Sequence, residues 1–308
     1  MKYAAIDIGT NAARLLIGEL VEINDVTHLI KVSYTRIPLR LGEDVFDLGR
    51  ISKTKSEDFV KTMQAFQLIA DIFKVNDIRA VATSAMRDAE NGDKIVRKII
   101  DETGIEIEII SGDEEARLSF IGATKEFAAS DAPFLVVDIG GGSTEFVYGN
   151  SEVEFAKSVN IGCVRMTERN IHSDPPKAEE IENARRDIQE AIAVAALTVP
   201  ITQAKTLIAV AGTATSVAAS ALDLAKYDRH LIHLARVSAE QAHHVAITFA
   251  AMNAEQRSHV GFLHPGRADV FAAGSLVLSE IMKATGAKEF VASEADILDG
   301  IAWSLARN

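Results

Sequence analysis

Residues 134–149 run Phe134-Leu-Val-Val-Asp138-Ile139-Gly140-Gly141-Gly142-Ser143-Thr144-Glu145-Phe-Val-Tyr-Gly149. An apolar stretch ends in an aspartate, crosses three glycines and two hydroxyls, and resumes as an apolar stretch, which is the pattern of a strand, a tight turn and a second strand. Successive glycines let the backbone come close to a ligand, and their N–H groups suit an anion such as a phosphate. Asp138, at the end of its strand, has the chemistry to hold a divalent cation directly or through water.

The amino terminus repeats the plan. Ile6-Asp7-Ile8-Gly9-Thr10-Asn11 is followed by Arg14-Leu15-Leu16-Ile17-Gly18, again strand, Asp-Ile-Gly, hydroxyl, strand. Either motif alone is weak, but the pair points to two related halves that face each other across a phosphate. A dinucleotide-binding turn is disfavoured, because its glycines run G-x-G-x-x-G into a helix. Here Glu145 stands where the last glycine belongs, and a strand follows. A third acidic element, Ser111-Gly112-Asp113-Glu114-Glu115-Ala116-Arg117-Leu118, opens a helix; first-turn carboxylates are also what a helix dipole favours.

The elements that must carry these residues follow from periodicity. Residues 26–41 alternate as a third strand. Phe59, Met63, Phe66, Ala70 and Phe73 fall at helical spacing within 52–74, with Ser52 or Ser56 as cap. Strands are expected at 78–83 and 105–110, with a helix over 92–103 between them. The second half shows strands at 134–138, 144–149 and 152–159, helices at 161–170 and 177–197, and strand 205–210 leading through Gly212-Thr213 into a helix. Residues 238–285 read as mostly helical, 288–292 as strand and 295–306 as a final helix. Three strands followed by alternating helix and strand, done twice, is an α/β chain of the duplicated ribonuclease-H-like, actin-like plan. The expected domains are 1–122 plus 295–308, and 123–294.

The 308 residues are 48% hydrophobic and 25% charged, an ordinary globular composition with room for two cores. A net charge of −12 argues against nucleic-acid or anionic-membrane partners. No apolar run approaches the length of a membrane span, and a cytoplasmic protein is the expectation. The single cysteine, Cys163, excludes an intrachain disulfide and reads as a small buried residue. His243-His244 cannot present both rings to one metal from one helix face.

The motifs Asp7-Ile-Gly-Thr10-Asn11, Ala82-Thr83-Ser84-Ala85-Met86-Arg87-Asp88-Ala89, Ile109 to Leu118, Asp138 to Glu145, Gly212-Thr213 and Pro265 to Gly274 occur in one order along the chain. Together they resemble the exopolyphosphatase and guanosine pentaphosphate phosphohydrolase family of the sugar-kinase, heat-shock-ATPase and actin superfamily. The resemblance implies hydrolysis of a terminal phosphoanhydride in a cleft between two domains, with Mg²⁺ or Mn²⁺ as cofactor. The implied substrates are inorganic polyphosphate or guanosine pentaphosphate, the latter giving guanosine tetraphosphate.

Carried onto this chain, the resemblance makes Glu115 the group that activates water, with Glu114 as second choice. Asp7, Asp138 and Glu145 become cation ligands. Thr10, Asn11, Gly140, Gly141, Gly142, Ser143 and Thr144 cradle the scissile phosphate, and Gly212 with Thr213 receives an adjoining one at a helix start. Arg87 is the expected phosphate clamp, since a guanidinium presents a fork to phosphate oxygens; its alternative is an ion pair with Asp88 or Glu90. Arg14, Arg165 and Arg267 are further contacts or structural residues.

Three departures matter. Ala12 replaces a serine, Leu298-Asp299-Gly300 stands where many relatives carry an arginine before Glu-Gly, and longer members add a helical carboxy-terminal module, which points this chain toward short polyphosphate chains or nucleotides rather than long polymers. Competing readings are an ATP-dependent small-molecule kinase and a non-catalytic nucleotide sensor. A symmetric homodimer is the default assembly.

Overall fold

Three antiparallel strands open the chain: β1 (Lys2–Ile8), β2 (Ala12–Ile23) and β3 (Val26–Pro38). The computed structural model describes residues 1–23, 26–43 and 45–305. A short α1 (Val45–Leu48) precedes the long α2 (Lys53–Phe73), which starts where Ser52 accepts the Lys55 N–H and stops where Lys74 turns left-handed at φ 52°. β4 (Asp77–Ala82) lies parallel to β1 and leads into α3 (Ser84–Asp88) and α4 (Gly92–Thr103). β5 (Ile107–Ile109) lies parallel to β4 and leads into α5 (Gly112–Thr124). The sheet order is β3-β2-β1-β4-β5.

The next stretch repeats this order. β6 (Phe134–Ile139), β7 (Thr144–Gly149) and β8 (Val153–Val159) pair antiparallel, then α6 (Cys163–Asn170) and α7 (Ala178–Ala196) lead to β9 (Thr206–Val210), parallel to β6. α8 (Ala211–Ala221), α9 (Arg229–Ile232), β10 (Arg236–Ser238), α10 (Ala239–Ala251), α11 (Ala254–Ser258), α12 (Phe271–Thr285), β11 (Glu289–Ala292) and α13 (Ile297–Ser304) complete the chain. The order β10-β11-β9-β6-β7-β8 contains β8-β7-β6-β9-β11, the first sheet's topology again, with β10 added at one edge. The fold is therefore a duplicated actin-like α/β fold.

The chain divides into two compact units, Met1–Gly122 with Ile297–Asn308, and Ala123–Asp296. In the first, one sheet face buries Leu15 and Ile17 against Phe59, Met63 and Phe66 of α2 and Ile95 and Ile99 of α4. The opposite face buries Ala5, Leu16 and Val81 against Leu118 of α5 and Leu298 and Ile301 of α13. In the second, β6 is buried at every residue, as expected of a central strand covered on both faces.

Differences from expectation lie in short or interrupted elements. α3, α9 and β10 are five residues or fewer, too short for periodicity to declare. The helical tract 238–285 is broken where Met252 turns extended and Asn253 caps α11, its side chain accepting the Gln256 N–H. The final helix begins at Ile297 rather than 295 and ends at Ser304; Ala306, its expected end, lies outside the described residues. Among the described residues no helix is long and apolar enough to cross a membrane.

Candidate active site

The two Asp-Ile-Gly hairpins have the same register. Asp7 pairs with Arg14 across β1 and β2, and Asp138 pairs with Glu145 across β6 and β7. Each turn is closed alike, Gly9 N–H donating to Ala12 O and Gly140 N–H to Ser143 O, both at 3.0 Å. The carbonyls within each turn are taken by a neighbouring segment. Thr10 O accepts the Gly42 N–H, and Asn11 O accepts those of Leu39 and Arg40. Gly140 O accepts the Cys163 N–H, Gly141 O those of Val164 and Arg165, and Gly142 O the Arg165 Nε at 2.7 Å.

A trans peptide points its N–H opposite its C=O. Carbonyls held by the start of α6 therefore aim the N–H groups of Gly141, Gly142 and Ser143 the other way, and among the described residues no acceptor meets them. That is a ready anion cradle. Its seat depends on Gly162, which sequence reasoning missed. A Cβ there lies 2.5 Å from Gly141 carbonyl carbon and oxygen, so only glycine lets α6 begin against the turn. Arg165, buried, is a structural residue of this seat.

Arg14 takes the other course open to it, donating through Nε (2.8 Å) and Nη2 (2.7 Å) to Asp7 Oδ2. The opposing position in the second hairpin is an acid, so Asp138 and Glu145 set two carboxylates side by side, 6% and 1% exposed. Ser158 donates to Glu145 Oε1 at 2.7 Å. Like charges directly opposite are unfavourable, and all-oxygen donors suit a hard cation that keeps several waters. The second hairpin thus fits Mg²⁺ or Mn²⁺, whereas Asp7 is already charge-balanced. Among the described residues no group of three or more His, Cys, Asp or Glu gathers as a metal cluster.

In the first unit, Thr10 Oγ1 hydrogen-bonds Ser84 Oγ (2.8 Å) at the start of α3, and Arg87 at the end of α3 donates from Nη1 to Glu115 Oε2 (3.1 Å) and Ile110 O (3.0 Å). Its partner is thus neither Asp88 nor Glu90. The adjacent glutamates differ sharply. Glu114 receives Arg117 through Nε and Nη2 (2.7 and 2.8 Å) and Arg79 Nη2 at 3.2 Å. The Arg117 hydrogen bonds hold its carboxyl below the usual carboxylate range, against burial and with Arg79 assisting. Glu114 is tied into a structural network, while Glu115, one helix position on, is 8% exposed on another face. α5 is itself seated by Gly300 of α13, where a Cβ lies 1.9 Å from Leu118 O. Leu298, the departure from Arg, packs in that core, and Asp299 pairs with Lys31 at 2.6 Å.

In the second unit, Gly212 and Thr213 begin α8 after Ala211, whose φ of 67° is left-handed for a residue with a Cβ. Such strain collects at functional sites, and an alanine there gives the sequence no signal. Arg267 Nη1 donates to Gly212 O at 3.1 Å and to Ser216 Oγ at 3.3 Å, so this arginine braces the helix start. Thr213 and Cys163 both lie 2.9 Å from where a Cβ on Gly274 stands, which puts α8 and α6 side by side. Burial pushes the Cys163 thiol up, despite the pull of Arg267 and a hydrogen bond to Thr213. His243 Nδ1 meets Ser279 Oγ at 2.8 Å.

A duplicated actin-like fold with an Asp-Ile-Gly hairpin in each half, an acidic pair in the second and a buried helix-start glutamate in the first has the chemistry of a phosphoryl-handling enzyme class. Comparison with known proteins specifies it further. A profile of the Ppx/GppA phosphatase family matches residues 20–308, and the chain belongs to that family of phosphoanhydride hydrolases. It is similar to Exopolyphosphatase 2 of Mycobacterium tuberculosis, 40% identical over 99% of this chain and 98% of that protein. An exopolyphosphatase-like protein of known structure is 37% identical with TM-score 0.93, covering 100% of this chain and 99% of the other. The Aquifex aeolicus Ppx/GppA family member is 26% identical with TM-score 0.80, covering 100% and 99%.

Proposed function

We propose that this protein releases the terminal phosphate of inorganic polyphosphate. A water oxygen bonds to the terminal phosphorus, the bridging P–O bond breaks, the water proton passes to Glu115, and a chain one unit shorter departs. The observation that carries this reading is the contrast within α5: Glu114 is held by two arginines, while Glu115 is buried beside Arg87. Water activation by a placed carboxylate contributes about 10²–10⁴-fold.

The N–H groups of Gly141, Gly142 and Ser143 bind the phosphate undergoing attack, and Thr144 holds the turn through its hydroxyl on Ile161 O. Thr10 and Asn11 are the corresponding phosphate-binding groups of the first hairpin, and within the second unit Gly212 with Thr213 takes an adjoining phosphate. Asp138 and Glu145 hold Mg²⁺ or Mn²⁺, and Asp7 orients Arg14 instead of acting as a ligand. When bound, the cation neutralises charge on the phosphate oxygens.

The test is phosphate release with Mg²⁺ from short polyphosphate, long polyphosphate, guanosine pentaphosphate, and ATP plus sugar, for the parent and Glu115→Gln. Release from polyphosphate, short chains fastest, lost in the variant, is the expected result. Release from guanosine pentaphosphate alone overturns the substrate, transfer to sugar overturns hydrolysis, and full activity in the variant removes Glu115 from the mechanism.

A further inference from the structure

The chain leaves the first unit at Gly122–Ala123, in the last turn of α5, and returns to it at Asp296–Ile297, where α13 begins. In the second unit one side chain touches the flank of both passages. His233 lies just past α9, its N–H donating to Arg229 O, and Leu234 follows with a left-handed φ of 63°. That turn lays the chain against the end of β11: Leu234 N–H donates to Ala292 O, and Ala292 N–H to Ala235 O. The imidazole is thereby brought between the two connecting segments.

Its Nδ1 accepts the backbone N–H of Glu294 at 3.1 Å. A backbone N–H can only donate, so Nδ1 carries no proton and the ring hydrogen sits on Nε2. Nε2 in turn donates to Glu126 Oε2 at 3.0 Å, two residues beyond α5. The second flank is fastened further: Tyr227 OH donates to Glu294 Oε1, and Arg229 Nη2 lies 3.8 Å from Glu294 Oε2. Burial, then the Glu294 charge, pushes the Tyr227 phenol up, which keeps that hydroxyl a donor.

We infer that His233 is a two-sided clasp that fastens the chain just after α5 and the chain just before α13 to the body of the second unit. Its acceptor nitrogen serves the return passage and its donor nitrogen serves the outgoing one. The role is positional: His233 acts on the chain that leads from α5, which carries Glu115, and on the chain that leads into α13. It stands independently of the substrate proposed above.

Amide hydrogen exchange on the 308-residue protein tests it. His233→Ala is expected to speed exchange in both 123–128 and 293–297 by about three- to tenfold, the scale of one lost hydrogen bond at each, with β6 and β9 unchanged. Glu126→Ala, which removes the acceptor on Nε2 and leaves the Glu294 N–H bond intact, is expected to speed 123–128 alone. Unchanged exchange at either passage in His233→Ala overturns the clasp. If that variant does not fold, Glu126→Ala decides: selective loosening of 123–128 supports the clasp, and no change or equal change at both passages overturns it.

Discussion

Arg87 Nη1 lies 3.1 Å from Glu115 Oε2 and 3.0 Å from the Ile110 carbonyl oxygen, so one nitrogen links the carboxylate to the backbone just before its own helix. The arginine that sequence patterns assign to phosphate also fixes the rotamer of the proposed base. Arg87→Ala is expected to lower kcat by about 10-fold or more, because a misplaced reacting group costs up to about 10². A rise in KM with kcat unchanged identifies a pure phosphate clamp instead.

Glu115→Gln is expected to lower kcat by at least about 10²-fold without changing melting temperature appreciably. Glu114→Gln is expected to do the reverse. Losing the carboxylate on Arg117 and Arg79 costs about 1 kcal/mol at this half-exposed site, with turnover retained. Steady-state kinetics and thermal unfolding on the two variants separate the roles.

Asp138→Asn and Glu145→Gln each remove one of the two carboxylates proposed to hold the cation. The same variants are expected to lose the stabilisation that Mg²⁺ gives the parent, along with phosphate release. Equal Mg²⁺ stabilisation in parent and variants removes the pair from cation binding.

Glu180 supplies the pH prediction. The Ser173 hydroxyl first, then the backbone N–H groups of Lys177 and His172, bring its carboxyl down to about 2. A depressed folded value stabilises above the unfolded value and loses that stabilisation as pH falls toward 2. Glu180→Gln therefore melts below the parent at neutral pH, and the gap closes on acidification between about pH 4.5 and pH 2. A gap independent of pH refutes the assignment.

Gly300→Ala places a Cβ 1.9 Å from Leu118 O, and α5 must move. A cost of about 1–3 kcal/mol is expected, with a larger loss of turnover than of stability because Glu115 rides on α5. Calorimetry and kinetics on one preparation check both.

Much of this was legible in the sequence, for physical reasons. The hairpins carry period-two apolar strands around turn residues, a local pattern, and their duplication fixed the actin-like plan. Which glutamate faces which partner was not legible, since Arg79 and Arg87 reach α5 only once β4 and β5 pair. Gly162 went unnoticed because its constraint is a contact with Gly141 rather than its own backbone. Arg14 and Glu145 occupy the same register position, but sequence alone did not show that Arg14 turns back onto Asp7. His233 lies in an unremarkable Ile-His-Leu stretch, and its two partners come from distant parts of the chain.

The bonding of the Gly140–Gly142 carbonyls to α6 and Arg165 has one more consequence. Dipoles already oriented by the fold need not swing round when charge develops on a bound group, so the reorganisation energy that water would demand at that step is largely absent. Electrostatic help of this kind resides in the anchoring of the loop, and loosening Arg165 should weaken it without any group that meets the substrate being altered.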